Sequence, residues 1–189
     1  CVVLIVDVYL GHVSSELTYR LALLAVLGTA AVSVWVAGTT SGVTFFGAFV
    51  ADPASMVLKL IAYLAVALVF LYSRDHLRNA GLFQGEFFVL GLFGLLGIMI
   101  MISAHNLLAM YLGLELLALS QYALVAFNRD SAVAAESAMK YFVLGAIASG
   151  TLLYGISLLY GVTATIDLGT LAIRLSQPNA ITLPATLGL

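Results

Sequence analysis

The sequence predicts an all-α, polytopic transmembrane helical bundle, and three observations carry that reading. Of 189 residues, 63% are hydrophobic and only 8% charged, and the mean hydropathy of +1.14 lies far outside the range of a soluble domain. Several stretches are apolar over the about 20 residues that a helix needs to cross roughly 30 Å of hydrocarbon. Between them fall short groups of Gly, Ser, Asn and charge, the punctuation of loops.

The elements follow in order. Residues 1–10, CVVLIVDVYL, read as the tail of a membrane helix, because no initiator Met or basic segment precedes the apolar run as in a signal peptide. GHVSSE (11–16) leads to a span at 19–37. A polar loop from AGTTSG (37–42) runs to Asp52-Pro53, an N-cap followed by the proline of a first helical turn, which fixes the start of a span at 54–73. SRDHLRNAGLFQGE (73–86) is read as a loop before the span at 86–104. The tight break SAHN (103–106) precedes 107–127, and NRDSA (128–132) precedes 133–160. The apolar ending, ITLPATLGL (181–189), reads as the start of another helix. The expectation is one transmembrane domain over 1–189, a fragment of a longer subunit, and no strand-length alternation competes with it.

Charge and cysteine usage remove other classes. A net charge of −2 with scattered Arg offers no basic stripe for phosphates, which sets nucleic-acid binding aside. The single Cys, Cys1, cannot build a disulfide framework, and no closely spaced Cys/His set offers a metal site. Neither a phosphate-cradling Gly-rich loop, a nucleophile with a base, nor a CxxC cluster occurs, so no redox centre is expected in this chain. If the helices alternate in direction, Arg20, Arg74, Arg78 and Arg129 share one side, expected to be cytoplasmic; Arg174 and a snorkelling Lys59 lie towards the other. Gly91, Gly94 and Gly97, and Gly145 with Ser149, are assigned to close helix packing and to no chemistry.

The candidate site begins with Glu115 in YLGLELLALSQY (111–122), one carboxylate in a run of hydrocarbon. It lies nine residues after Asn106, about 13 Å deep at 1.5 Å per residue. Lys140, nine residues past Ser131, lies about 13 Å from the opposite side, within roughly a turn of the same depth. The short NRDSA connection makes these two helices antiparallel neighbours, so an acid and a base face the same layer and can hold each other ionised or exchange a proton. Tyr111 at i−4 and Tyr122 at i+7 share the face of Glu115 and extend a polar stripe. The plainer alternatives stand beside this. Glu136, four residues before Lys140, can neutralise it along one helix, and Glu115 can be a protonated acid bonded to its neighbour as structural glue. His105 in SAHN is a shuttle or an interfacial polar residue. Asp7 is a further acid of unassigned depth. Arg74, Asp75 and Arg78 are read as a solvated loop, and Asp167 and Arg174 as part of the loop after the sixth span.

The stretch YLGLELLALSQYALVAF, followed by ESAMKYFVLGAIASGTLLYGISLLYG, resembles the antiporter-like membrane subunit N of bacterial NADH:quinone oxidoreductase, respiratory complex I, whose mitochondrial counterpart is NADH dehydrogenase subunit 2. The similarity runs through most of the chain, including Asp52, Lys59, SRDHLR and GEFF, and is most specific over 107–161. Multisubunit cation/proton antiporters and membrane-bound hydrogenases share the embedded Glu, and ESAMKYF favours subunit N over them. The resemblance implies a multi-pass subunit of the bacterial plasma (inner) membrane that translocates protons, with quinone reduction elsewhere in the complex as the driving reaction. It implies that Glu115 is the key acid and Lys140 the sixth-helix lysine. It also implies that quinone, flavin and iron–sulfur clusters reside in partner subunits, with none in this chain, and that its partners are the other membrane subunits and the bilayer. The family's further lysines, on a broken seventh helix and beyond, would follow Leu189. Gln121 departs from the family's frequent Pro and puts the local helix geometry in question. The alternatives by class are an antiporter or hydrogenase subunit, sodium-handling or proton-handling, and a purely structural membrane scaffold.

Overall fold

The computed structural model describes residues 2–10, 15–37, 42–45 and 47–176; the helix start expected at 181–189 lies outside them. In chain order come α1 (Val2–Leu10), α2 (Ser15–Ala37), β1 (Gly42–Thr44), β2 (Phe49–Ala51), α3 (Pro53–Asn79), α4 (Gly85–Ser103), α5 (Leu107–Val125), α6 (Ala132–Thr163) and α7 (Leu168–Leu175). The five helices α2 to α6 are long and apolar enough to cross a membrane.

The helix starts are chemical. Asp52 accepts from the Ser55 N–H at 2.9 Å while the Asp52 N–H donates to Ser55 Oγ at 3.2 Å, a reciprocal cap ahead of Pro53. Asn106 accepts from the Ala109 N–H at 2.6 Å, and Ser131 from the Ala134 N–H at 3.3 Å. Each satisfies an N–H that the first turn leaves unpaired, which matters most near hydrocarbon.

Three expectations need correction. SRDHLRN is not a loop: α3 continues through it to Asn79. It stops at Gly81, whose φ of +68° lets the Leu82 N–H reach Leu77 O at 2.9 Å, the glycine-terminated ending of a helix. Asp167 and Arg174 belong to α7, where Asp167 is the N-cap and accepts from the Thr170 N–H at 2.7 Å. Strands do occur. β1 and β2 pair antiparallel, Gly42 with Ala51 and Thr44 with Phe49, around a turn with positive φ at Phe45 and Gly47. Strands of three residues are too short to register as a period-2 pattern.

The core is aromatic and lies between α2, α3 and α4. Phe88 is fully buried, with Phe70 and Tyr19 ring edges 5.3 and 5.1 Å from it, centroid to centroid. α4 then meets α5 backbone to backbone. A Cβ at Gly97 would come within 2.6 Å of Gly113 O, and one at Gly113 within 2.8 Å of Gly97 O. Only glycine permits that approach, so the packing role read for Gly97 is met by a partner glycine on α5.

Each end of the bundle gathers one set of loops. At one end Glu16 of α2 holds Arg74 and Arg78 of α3, both at 2.5 Å, and Arg129 after α5 holds Glu86 of α4 at 2.5 Å. At the other the hairpin bridges Phe49 to Ala104, the His105 N–H donates to Ala48 O at 2.8 Å, and Asn106 bridges Asp167. Arg20, Arg74, Arg78 and Arg129 therefore share an end, as alternating helix directions require.

Candidate functional site

α5 presents two different faces two residues apart. Gly113 is pressed against α4, and about 200° further round the helix half-buried Glu115 is turned towards α6. There Ser149 donates its hydroxyl to Glu115 Oε1. The Tyr111 hydroxyl lies 2.9 Å from the same Ser149 Oγ. A carboxylate and two hydroxyls from two helices thus form one connected, half-buried polar file on the seam between α5 and α6. Beyond Tyr111 the file ends, because its ring packs against an apolar cluster of Leu107, Ile156, Leu159 and Leu171.

Lys140 does not join this file. Its Nζ is 2.5 Å from Glu136 Oε1, with 71% of the lysine side chain and 66% of the glutamate side chain exposed, and among the described residues Glu115 forms no ion pair. The expected facing pair failed on azimuth. Ser149 and Lys140 are nine residues apart, about 900° of helical rotation, so they point to opposite sides of α6. Matching depth fixed the layer, not the direction.

The other residues singled out in the sequence divide clearly. Tyr111 lines the file as its i−4 spacing predicts. Tyr122 instead sets the α5–α6 contact: its ring lies edge-on to Tyr141 and Phe142 at 4.9 and 5.6 Å, and its hydroxyl occupies the space that a Cβ at Gly145 would need. Gln121 accepts from Tyr141 Oη at 2.8 Å, and α5 runs unbroken through it. His105 Nε2 stands 3.3 Å from Asp167 Oδ2, and Arg174 donates to Thr163 O; both tie α7 to the end of the bundle. Asp7 accepts from Thr18 Oγ1 at 2.8 Å, against Gly85. Lys59 lines a cleft of about 530 Å³ between α2 and α3. Ser149 is the residue sequence reasoning missed as chemistry. The signal for it was a hydroxyl in AIASGTLL, half a turn out of phase with Lys140.

Outside the spans, two caps have lowered carboxylate pKa values. At Asp52 the Ser55 hydroxyl and then its backbone N–H stabilise the ionised form. At Asp167 the Thr170 backbone N–H and then its side chain do so, with a smaller contribution from His105. Among the described residues no three His, Cys, Asp or Glu side chains gather as a metal site.

Fold and site together define a multi-pass, helical membrane unit with a half-buried carboxylate held on the seam between two of its spans. Residues 104–186 match the family model described as NADH:quinone oxidoreductase/Mrp antiporter, transmembrane. The chain is 51% identical over 187 residues to NADH-quinone oxidoreductase subunit N of Thiobacillus denitrificans, covering 99% of this chain and 39% of that one. It is 54% identical over 180 residues to the same subunit of Acidithiobacillus ferrooxidans, covering 95% and 37%. It superposes on a chain of respiratory complex I from Thermus thermophilus with bound aureothin at a TM-score of 0.75 and 29% identity, over 99% of this chain and 39% of the other. An archaeal membrane-bound sulfane sulfur reductase shares the fold at a TM-score of 0.78 and 24% identity, over 98% and 39%. The chain is thus similar over nearly its whole length to subunit N of NADH-quinone oxidoreductase, and it is a multi-pass protein of the bacterial inner membrane. It spans about two fifths of the length of these relatives.

Proposed function

We propose that this chain is a non-redox, proton-translocating part of an NADH:quinone oxidoreductase, in which quinone reduction in partner subunits drives proton movement through the membrane arm. Other membrane subunits would surround it, with flavin, iron–sulfur clusters and quinone held by those partners. The observation that carries this reading is Glu115, half-buried near mid-membrane depth and hydrogen-bonded to Ser149 rather than neutralised by a base. Ionisable groups at that depth cost about 2.5 to 3.5 kcal/mol on the insertion scale, and polar partners in a file are what make them usable. Glu115 is the group that takes up and releases the proton. Lys140, held by Glu136 on the far face of α6, acts on it through its field rather than by contact, and release of Lys140 from Glu136 is the step that changes this field.

Glu115→Gln in the intact complex tests the assignment. The expected result is normal assembly and electron transfer with protons pumped per electron reduced; an unchanged ratio counts against it. A scaffold reading draws on the same Ser149–Glu115 bond, which joins α5 to α6. It expects the reverse: less assembled complex, and a normal ratio in what does assemble.

A further inference from the structure

We propose that Ser149 is the positioning residue for Glu115, and that Ser149 with Tyr111 forms a reversible hydroxyl pair serving both charge states of the carboxylate; this rests on the reading of Glu115 as the proton carrier. The juxtaposition is specific. Ser149 Oγ is bonded at once to Glu115 Oε1 and to the Tyr111 hydroxyl, 2.9 Å away, so α5 supplies both ends of the file and α6 its middle.

A hydroxyl both donates and accepts, which neither an amide N–H nor an ammonium can do. With Glu115 ionised, Tyr111 donates to Ser149 and Ser149 donates to the carboxylate, so the charge receives a hydrogen bond strengthened by its ionisation. When a proton arrives on Glu115, the hydroxyl hydrogens rotate. Glu115 then donates to Ser149 Oγ, Ser149 donates to Tyr111 Oη, and the Tyr111 hydrogen turns out of the file. No covalent bond of Ser149 or Tyr111 breaks; the only proton gained or lost is the one on Glu115. The carboxyl group is therefore held at one position on the α5–α6 seam in both states, instead of swinging away when it is neutralised. The apolar cluster beyond Tyr111 closes the file at that end, and the Gly97–Gly113 contact fixes the helix that bears Glu115 from behind.

Intact complexes carrying Ser149→Ala, Ser149→Thr, Tyr111→Phe or Glu115→Gln provide the test. They are compared in assembled amount, electron-transfer rate, pumping rate and the infrared C=O stretch that disappears in Glu115→Gln. Loss of a hydrogen bond to a charged group predicts an about ten-fold fall in pumping for Ser149→Ala, and removal of the outer hydroxyl about three-fold for Tyr111→Phe. The C=O band should move to higher wavenumber in Ser149→Ala, and Ser149→Thr should restore both band and pumping. A Ser149→Ala complex with wild-type pumping and an unmoved band overturns the assignment of Ser149, while Glu115→Gln still tests the carrier separately. Equal loss in the Ala and Thr variants, confined to assembled amount, also overturns it, since packing alone would explain that.

Discussion

Glu115 and Lys140 are both ionisable groups in apolar helices, yet their surroundings differ in kind. The carboxylate has a hydroxyl partner on another helix, whereas the ammonium has a carboxylate four residues back on its own helix. The second arrangement is local, so the sequence held it in the Glu136-to-Lys140 spacing. The first is not, because a bond between residues 115 and 149 depends on how two helices are rotated against each other. Glu136→Gln therefore leaves a lone ammonium on α6, and α6 should insert less efficiently by about 1 kcal/mol or more on the insertion scale. Removing both charges in Glu136→Gln/Lys140→Gln should restore it. Glycosylation mapping of α6 insertion measures the difference, and an equal defect in single and double variants would show that the pair does not neutralise itself.

At the scale of elements, two glycines decide where α5 sits. Gly97→Ala places a methyl 2.6 Å from Gly113 O and 2.7 Å from Leu117 N, so α4 and α5 must separate, at a cost of about 1 to 3 kcal/mol. Gly150→Ala meets nothing within 4 Å and should be neutral. Thermal inactivation of the purified complex should separate the two variants by several degrees. The sequence marked Gly97 as a packing residue but not its partner, since the register of two helices is a tertiary property. Caps behave differently, because they are local chemistry. The Asp52 and Asp167 carboxyls are held below the ordinary aspartate value of 3.8. A lowered folded value means that the stabilisation is fully present above that pH and is lost as pH falls through the lower folded value. The first turns of α3 and α7 should therefore loosen below about pH 4, seen as faster amide exchange after correction for the intrinsic rate, and Asp52→Asn should remove the pH dependence at α3. Asp52-Pro53 was legible as a cap; α7 was not, because eight residues carry too little pattern to separate from a loop.

Over the whole molecule, the two ends are chemically unlike. One collects Arg20, Arg74, Arg78 and Arg129, with Glu16 and Glu86 as their anions; the other is a hairpin, the SAHN turn and α7 joined through backbone bonds. The positive-inside bias predicts that the Arg end faces the cytoplasm. Asn79→Cys should react with an impermeant maleimide only in inside-out vesicles, and Val43→Cys only in right-side-out ones, with the native Cys1 replaced; the opposite pattern would invert the orientation. The existence of the five spans, the Asp52-Pro53 cap and the presence of an acid midway along α5 were determined by the sequence alone, because length, hydropathy and capping chemistry act within a few residues of each other. The tertiary structure decided which groups meet that acid. Helix depth follows from counting residues, but facing follows from the rotation of each helix in its packing, which the Gly97–Gly113 contact sets for α5 and which turns Ser149, rather than Lys140, towards Glu115.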